Sequence, residues 1–202
     1  MAVLVAVVAA VVTIAVLAVV DQPDSELEIR PLDSPFALFD HEPEAASALI
    51  DAWVRWRTTT VVASGTWTRT LDDVEAPLTG SVYLAQDPPR RVVVRLSSEV
   101  SRIDDPERFE SLLANEIVLV GGYVTGETRG YNVRFGDPGC FVAQLITYAP
   151  AAPWGLRAEY CFDDATGTLT AATVRRQSAT DREVITDIRT TVTDEDFASG
   201  DS

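Results

Sequence analysis

At 202 residues the chain fits one domain of ordinary size behind an apolar leading segment. Its net charge of −15 and its lack of any basic stripe disfavour nucleic acid as a partner, because nothing is arrayed to neutralise phosphates. One histidine and two cysteines leave a thin inventory for triad, zinc or redox chemistry.

From Ala2 to Val20 every residue is apolar except Thr13. A helix of that length covers about 28 Å at roughly 1.5 Å per residue, close to the hydrocarbon thickness of a bilayer. A membrane anchor over residues 1–20 is expected, with a cleaved secretory signal as the alternative. A signal's apolar region is normally about 7–15 residues long and follows a basic start, which is missing here. Val16-Leu17-Ala18 is the candidate cleavage triplet. Asp21 to Glu44 carries eight acids against Arg30 alone, together with Pro23, Pro31, Pro35 and Pro43. Residues 21–44 therefore read as an acidic, proline-broken linker, with the lone histidine, His41, solvated in it.

The domain is expected over residues 45–197. Ala45, Ala48, Leu49, Ala52, Trp53 and Trp56 recur at helical spacing, with acids early and Arg55 and Arg57 late, which predicts an amphipathic helix. Alternation with period two follows: Val61, Ala63, Gly65 and Trp67 share one face of a strand, and Ser64, Thr66, Thr68 and Thr70 the other. Strands are predicted at 61–70, 80–86, 91–97, 130–136, 140–148, 155–162, 168–177 and 182–193. Between the second and third lies the turn Asp87-Pro88-Pro89-Arg90. A second helix starts at Pro106 with Asp105 as its cap, carries Phe109, Leu112, Leu113, Ile117 and Val120, and is expected to stop at Gly121-Gly122. Residues 198–202 read as a disordered acidic tail.

The fold class is therefore α+β: an antiparallel β-sheet of about eight strands with two helices, preceded by an N-terminal transmembrane helix. Pairing Thr147 with Trp154 in a hairpin puts Cys140 opposite Cys161 and predicts a disulfide; pairing Tyr148 with Gly155 offsets them by two residues and leaves free thiols. Closing such a loop stabilises a fold by about 3 kcal/mol in the chain-entropy model. A disulfide places the bulk of the chain outside the reducing cytoplasm.

No catalytic constellation emerges, so an enzyme is not expected. The cysteines lack C-x-x-C spacing, and the acidic pairs at Asp72-Asp73, Asp104-Asp105 and Asp163-Asp164 lack calcium-loop spacing. No cofactor and no metal are predicted. The aromatic residues admit two readings, a filled core or a groove left open for an apolar ligand. Trp67, Tyr83, Val94 and Phe135 are the candidate lining residues of such a groove.

The run Gly80-Ser-Val-Tyr-Leu-Ala-Gln-Asp-Pro-Pro-Arg-Arg-Val-Val-Val-Arg95 and the turn Asp163-Asp-Ala-Thr-Gly167 resemble the LolA-like, RseB-like lipoprotein-carrier superfamily. Gly80, Pro88, Pro89, Arg91, Asp163 and Gly167 are the matching positions, and the resemblance covers roughly residues 45–197. It implies a half-barrel capped by helices, whose cavity holds lipid or lipoprotein acyl chains. In the RseB-like branch it implies a sensor that regulates an envelope protein partner. The chain departs from that pattern in its expected anchor, which argues against shuttling, and in having no cysteine for lipidation. The resulting expectation is a single-pass cell-membrane protein with an extracytoplasmic domain, secreted if the leading segment is cleaved.

Overall fold

The computed structural model describes residues 36–95, 99–146 and 152–198. The expected anchor, most of the linker and the tail beyond Ala198 lie outside the described residues. Among those described, no helix is long and apolar enough to cross a membrane.

Helix α1 spans Pro43–Thr58, with Pro43 in its first turn and Arg55 and Arg57 in its last. Strands β1 (Val61–Leu71), β2 (Leu78–Asp87), β3 (Arg90–Arg95) and β4 (Glu99–Ile103) follow as a meander, and then α2 (Pro106–Val124). A second meander comprises β5 (Tyr131–Phe135), β6 (Cys140–Leu145), β7 (Arg157–Phe162), β8 (Leu169–Arg175) and β9 (Ala179–Arg189). The chain closes on α3, Asp194–Ala198. All nine strands form one open antiparallel sheet in the order β4-β3-β2-β1-β9-β8-β7-β6-β5. The two meanders join through β1 and β9 at its centre, so α2 must carry the chain from one sheet edge to the other.

The element count corrects the sequence expectation by one strand and one helix. Strand β4 holds only Val100 and Ile103 as apolar residues, too few to show a period. Helix α3 did have a legible signal: Asp196 reaches back to accept from the backbone N–H and hydroxyl of Thr193 at 2.7 and 2.9 Å, a capping box with Asp in the third helical position. Gly121-Gly122 does not stop α2. The helix runs on to Val124, which is wholly buried, with Tyr123 packed edge-on to Tyr131. Burial of that last turn outweighs a cost of about 1 kcal/mol per helical glycine. Its N-terminus is as expected, with Asp105 accepting from the N–H groups of Glu107 and Arg108.

Helices α1 and α2 pack on one face of the sheet, here the inner face. Trp53 lies at the centre of the main core, 5.2–6.4 Å from the rings of Trp56, Trp154, Tyr160 and Phe162. Such contacts contribute about 0.5–1.5 kcal/mol each beyond area burial. The outer face of β1–β3 has its own small core, where Phe197 of α3 covers Val62, Ala85 and Val92.

Two residues fix how these layers meet. At the β1–β9 junction the register slips between Ser64 and Gly65, a bulge that keeps both Ile185 and Ile188 on the inner face. A Cβ on Gly65 would stand 2.0 Å from the carbonyl oxygen of Val184, so only glycine fits there. Gln86, fully buried, donates from Nε2 to the carbonyls of Trp56 (2.8 Å) and Thr59 (2.7 Å), tying the C-terminal end of α1 to β2. Cys140 stands directly opposite Cys161 and the two form a disulfide, in the register that was expected for this hairpin.

Candidate functional site

The helices leave part of the inner face uncovered. A groove of about 470 Å³ opens between the C-terminal half of α1 and strands β1, β8 and β9, within the roughly 300–1,000 Å³ typical of small-molecule sites. Antiparallel register assembles its floor row by row. Trp67 and Arg69 alternate onto the inner face of β1, with Glu183 and Asp181 of β9 opposite them and Ala172 and Val174 of β8 beyond. On its other side Trp67 faces Gly80, which has no side chain to cover the indole. Trp53, Trp56, Tyr160 and Leu169 supply the apolar wall.

The charges in the groove are largely spent on one another. Arg69 makes a two-pronged contact with Asp181 at 2.5 and 2.9 Å, and Arg176 adds a third bond to the same carboxylate at 3.2 Å. Burial by itself would push the Asp181 carboxyl up; the hydrogen bonds from Arg69 and Arg176 outweigh it and hold the group below its ordinary value. The Arg69 guanidinium also stands 5.3 Å from the centre of the Trp67 ring. On α1, Arg57 stacks on Trp56 at 4.2 Å and pairs with Glu116 of α2, which also accepts from the indole N–H of Trp53 at 3.0 Å. Burial raises the Tyr160 phenol well above its usual range, so that hydroxyl stays neutral. The arrangement is an aromatic and aliphatic wall beside an internally neutralised polar rim, suited to holding an apolar or amphiphilic molecule.

Of the four residues expected to line a groove, only Trp67 does so. Tyr83 pairs with Ser64, and Val94 pairs with Tyr83, so both point to the outer face. There the Tyr83 hydroxyl bonds the backbone and side chain of Asp196 in α3 at 3.2 Å. The expectation fails by one residue of register, which reverses the face of every side chain. Phe135 shares the inner face but lies at the free end of edge strand β5, half exposed against Phe141. Arg69, Asp181 and Glu183 went unnoticed in the sequence, although Arg69 lies two residues beyond Trp67 and so on its face. His41 is not solvated in a linker: its Nδ1 accepts from the backbone N–H of Val133 at 3.1 Å. The two cysteine sulfurs, which lie close to Glu159, are taken up by their disulfide.

The turn Asp163–Gly167 has a local rationale. Asp163 accepts from the N–H and the hydroxyl of Thr166, both at 2.7 Å, and Gly167 takes a φ of +71° under the Arg55 side chain. A smaller hollow of about 200 Å³ beside it is rimmed by Asp51, Arg55 and Asp164.

No protein-family model matches the chain, and no curated protein matches its sequence. Solved structures similar to it include that of the lipoprotein LppX from Mycobacterium tuberculosis, at 12% identity and a TM-score of 0.41, over 75% of this chain and 98% of that one. MucB, solved in complex with MucA(peri), matches at the same identity and TM-score over 75% of this chain; the match spans 58% of MucB. A LolA superfamily protein from Nitrosomonas europaea matches at 8% identity and a TM-score of 0.27, over 75% of this chain and 96% of that one. With likeness at this level, the assignment of the groove rests on the geometry of this chain alone.

Proposed function

We propose that the chain is a non-enzymatic cell-envelope protein whose sheet forms a half-barrel and binds an apolar ligand, a lipid or a lipoprotein acyl chain, in the groove between α1 and strands β1, β8 and β9. The observation that carries this reading is the partly exposed Trp67 indole, uncovered on the side of Gly80 and backed by the largely buried Trp53 and Trp56, beside polar groups already paired with each other. An apolar molecule entering there removes aromatic surface from water without breaking an ion pair, at about 25 cal/mol per Å² covered. The Cys140–Cys161 disulfide supports an extracytoplasmic setting, with residues 2–20 as the membrane anchor.

The test is native mass spectrometry and lipid extraction on protein made in an oxidising compartment, for wild type and Trp67→Asp. Wild type should carry an acyl-chain ligand. The variant puts a further carboxylate beside Glu183 and should lose that ligand while its circular dichroism is unchanged. A ligand-free wild type, or normal loading of Trp67→Asp, overturns the assignment. A second reading, an extracytoplasmic sensory or protein-interaction domain acting on an envelope partner, is favoured by the apolar strip that α2 exposes: Leu112, Val118 and Leu119 are 43%, 73% and 47% exposed. A clean apo mass directs attention there.

A further inference from the structure

Strand β5 is an edge of the sheet, and its free side is covered by the chain's own Phe36–Glu42 segment. Val133 spends both backbone groups on it: its N–H donates to His41 Nδ1 at 3.1 Å, and its carbonyl accepts from the Glu42 N–H at 2.8 Å. The Phe135 N–H donates to the Glu42 carboxylate at 3.1 Å. Side chains from the outer face grip the same segment: Asn132 Nδ2 donates to the Phe39 carbonyl at 2.7 Å, and Gln144 Nε2 to that of Phe36 at 3.3 Å. Arg134 lies 4.6 Å from the Phe39 ring and Arg157 5.4 Å from that of Phe36. An uncovered edge presents unpaired N–H and C=O groups to any extended peptide, and this segment occupies them.

From this geometry we infer that the segment is a pH-loosened clasp: protonation of His41 breaks its bond to the Val133 N–H and frees that backbone group of the sheet edge, while the Glu42, Asn132 and Gln144 bonds keep the segment in place. The chemistry is that of the acceptor. Nδ1 can receive the Val133 N–H only while it carries no proton, and imidazolium has N–H donors on both nitrogens. Protonation sets two donors against each other and leaves the Val133 N–H without its partner. The charged groups on the elements that meet His41 are Arg129 before β5, Arg134 on β5, Glu44 in the first turn of α1, and Asp40 and Glu42 on either side of it. Partial burial, and then the positive charge of Arg129, depress the imidazole below its ordinary value near 6.5. The clasped state thus favours neutral histidine: its contribution is complete above about pH 6.5, declines as the pH falls below that, and is gone below the depressed value.

The experiment is hydrogen–deuterium exchange on the full chain, read on peptides covering Tyr131–Phe135 and corrected for intrinsic exchange, at pH 7.5 and pH 5. Wild type should lose about tenfold in protection at Val133 on acidification, the worth of roughly one hydrogen bond, while Phe135, bonded to the Glu42 carboxylate, should change less. His41→Asn places a non-titrating amide oxygen at the position of Nδ1 and should stay protected at both values. His41→Ala should be unprotected at both. Protection in wild type that is independent of pH, or the same acid loss in His41→Asn, overturns the inference; neither result depends on whether His41→Ala folds.

Discussion

Replacing Gln86 with leucine tests the joint between α1 and the sheet. The side chain is wholly buried, and its Nε2 is the donor to the Trp56 and Thr59 carbonyls at the end of α1. Those carbonyls belong to the set that a helix cannot satisfy internally. Leucine removes the donor but leaves both acceptors, the first buried and the second partly so. An unsatisfied buried group costs about 1–3 kcal/mol, so the two together cost about 3 kcal/mol. Part of this is offset, because Gln86 Oε1 has no hydrogen-bond partner among the described residues and its removal recovers roughly 1 kcal/mol of desolvation. The net expectation is a loss of about 2 kcal/mol, or roughly 4–8 °C in Tm at this size. Urea unfolding followed by tryptophan fluorescence reads it directly, since Trp53 and Trp56 lie in the adjoining helix, and the m-value should be unchanged. Gln86→Glu should be worse at neutral pH, because it aims a carboxylate at two carbonyl oxygens. A loss below about 0.5 kcal/mol for leucine, or a milder effect for glutamate, refutes the account in which this donor holds the helix end.

Three further outcomes follow from the packing. Gly65→Ala should destabilise more than an ordinary surface change and speed exchange of the β1–β9 amides, because its Cβ meets the Val184 carbonyl at 2.0 Å; an unperturbed Tm and exchange pattern would contradict the bulge. Replacing Cys140 and Cys161 together with alanine should cost about 3 kcal/mol for a closed loop of this size, measured by equilibrium unfolding without reductant. Asp196 should govern part of the acid limb: burial would raise its carboxyl, but bonds from Arg189, Thr193 and Tyr83 outweigh that and hold it at about 2. Its stabilisation is then complete above about pH 4 and disappears as the pH falls toward 2, so wild type and Asp196→Asn should differ at pH 6 and converge in strong acid.

Local chemistry explains what was legible in the sequence. The amphipathic stripe of α1, the Asp105-Pro106 start of α2, the alternation of β1 and the turn at Asp163–Gly167 are each written within a few consecutive residues. The Cys140–Cys161 pair was legible because one hairpin register satisfies it. The acidic linker and the lack of a basic stripe are properties of composition, and they disfavour nucleic acid without reference to any fold.

Only the tertiary structure decided which side of each strand faces α1 and α2. Trp67 and Tyr83 both look like inward aromatics in isolation, but the β1–β2 register sets Trp67 opposite Gly80 and Tyr83 opposite Ser64, on opposite faces. A side chain's face depends on pairing with a strand many residues away, and a shift of one residue inverts it. The same holds for the groove, whose Arg69 and Asp181 meet across the junction of β1 and β9, more than a hundred positions apart. His41 is the sharpest case: a histidine in an acidic, proline-rich stretch has every local reason to be solvated, and it becomes an acceptor because an edge strand elsewhere in the chain leaves a backbone N–H unpaired.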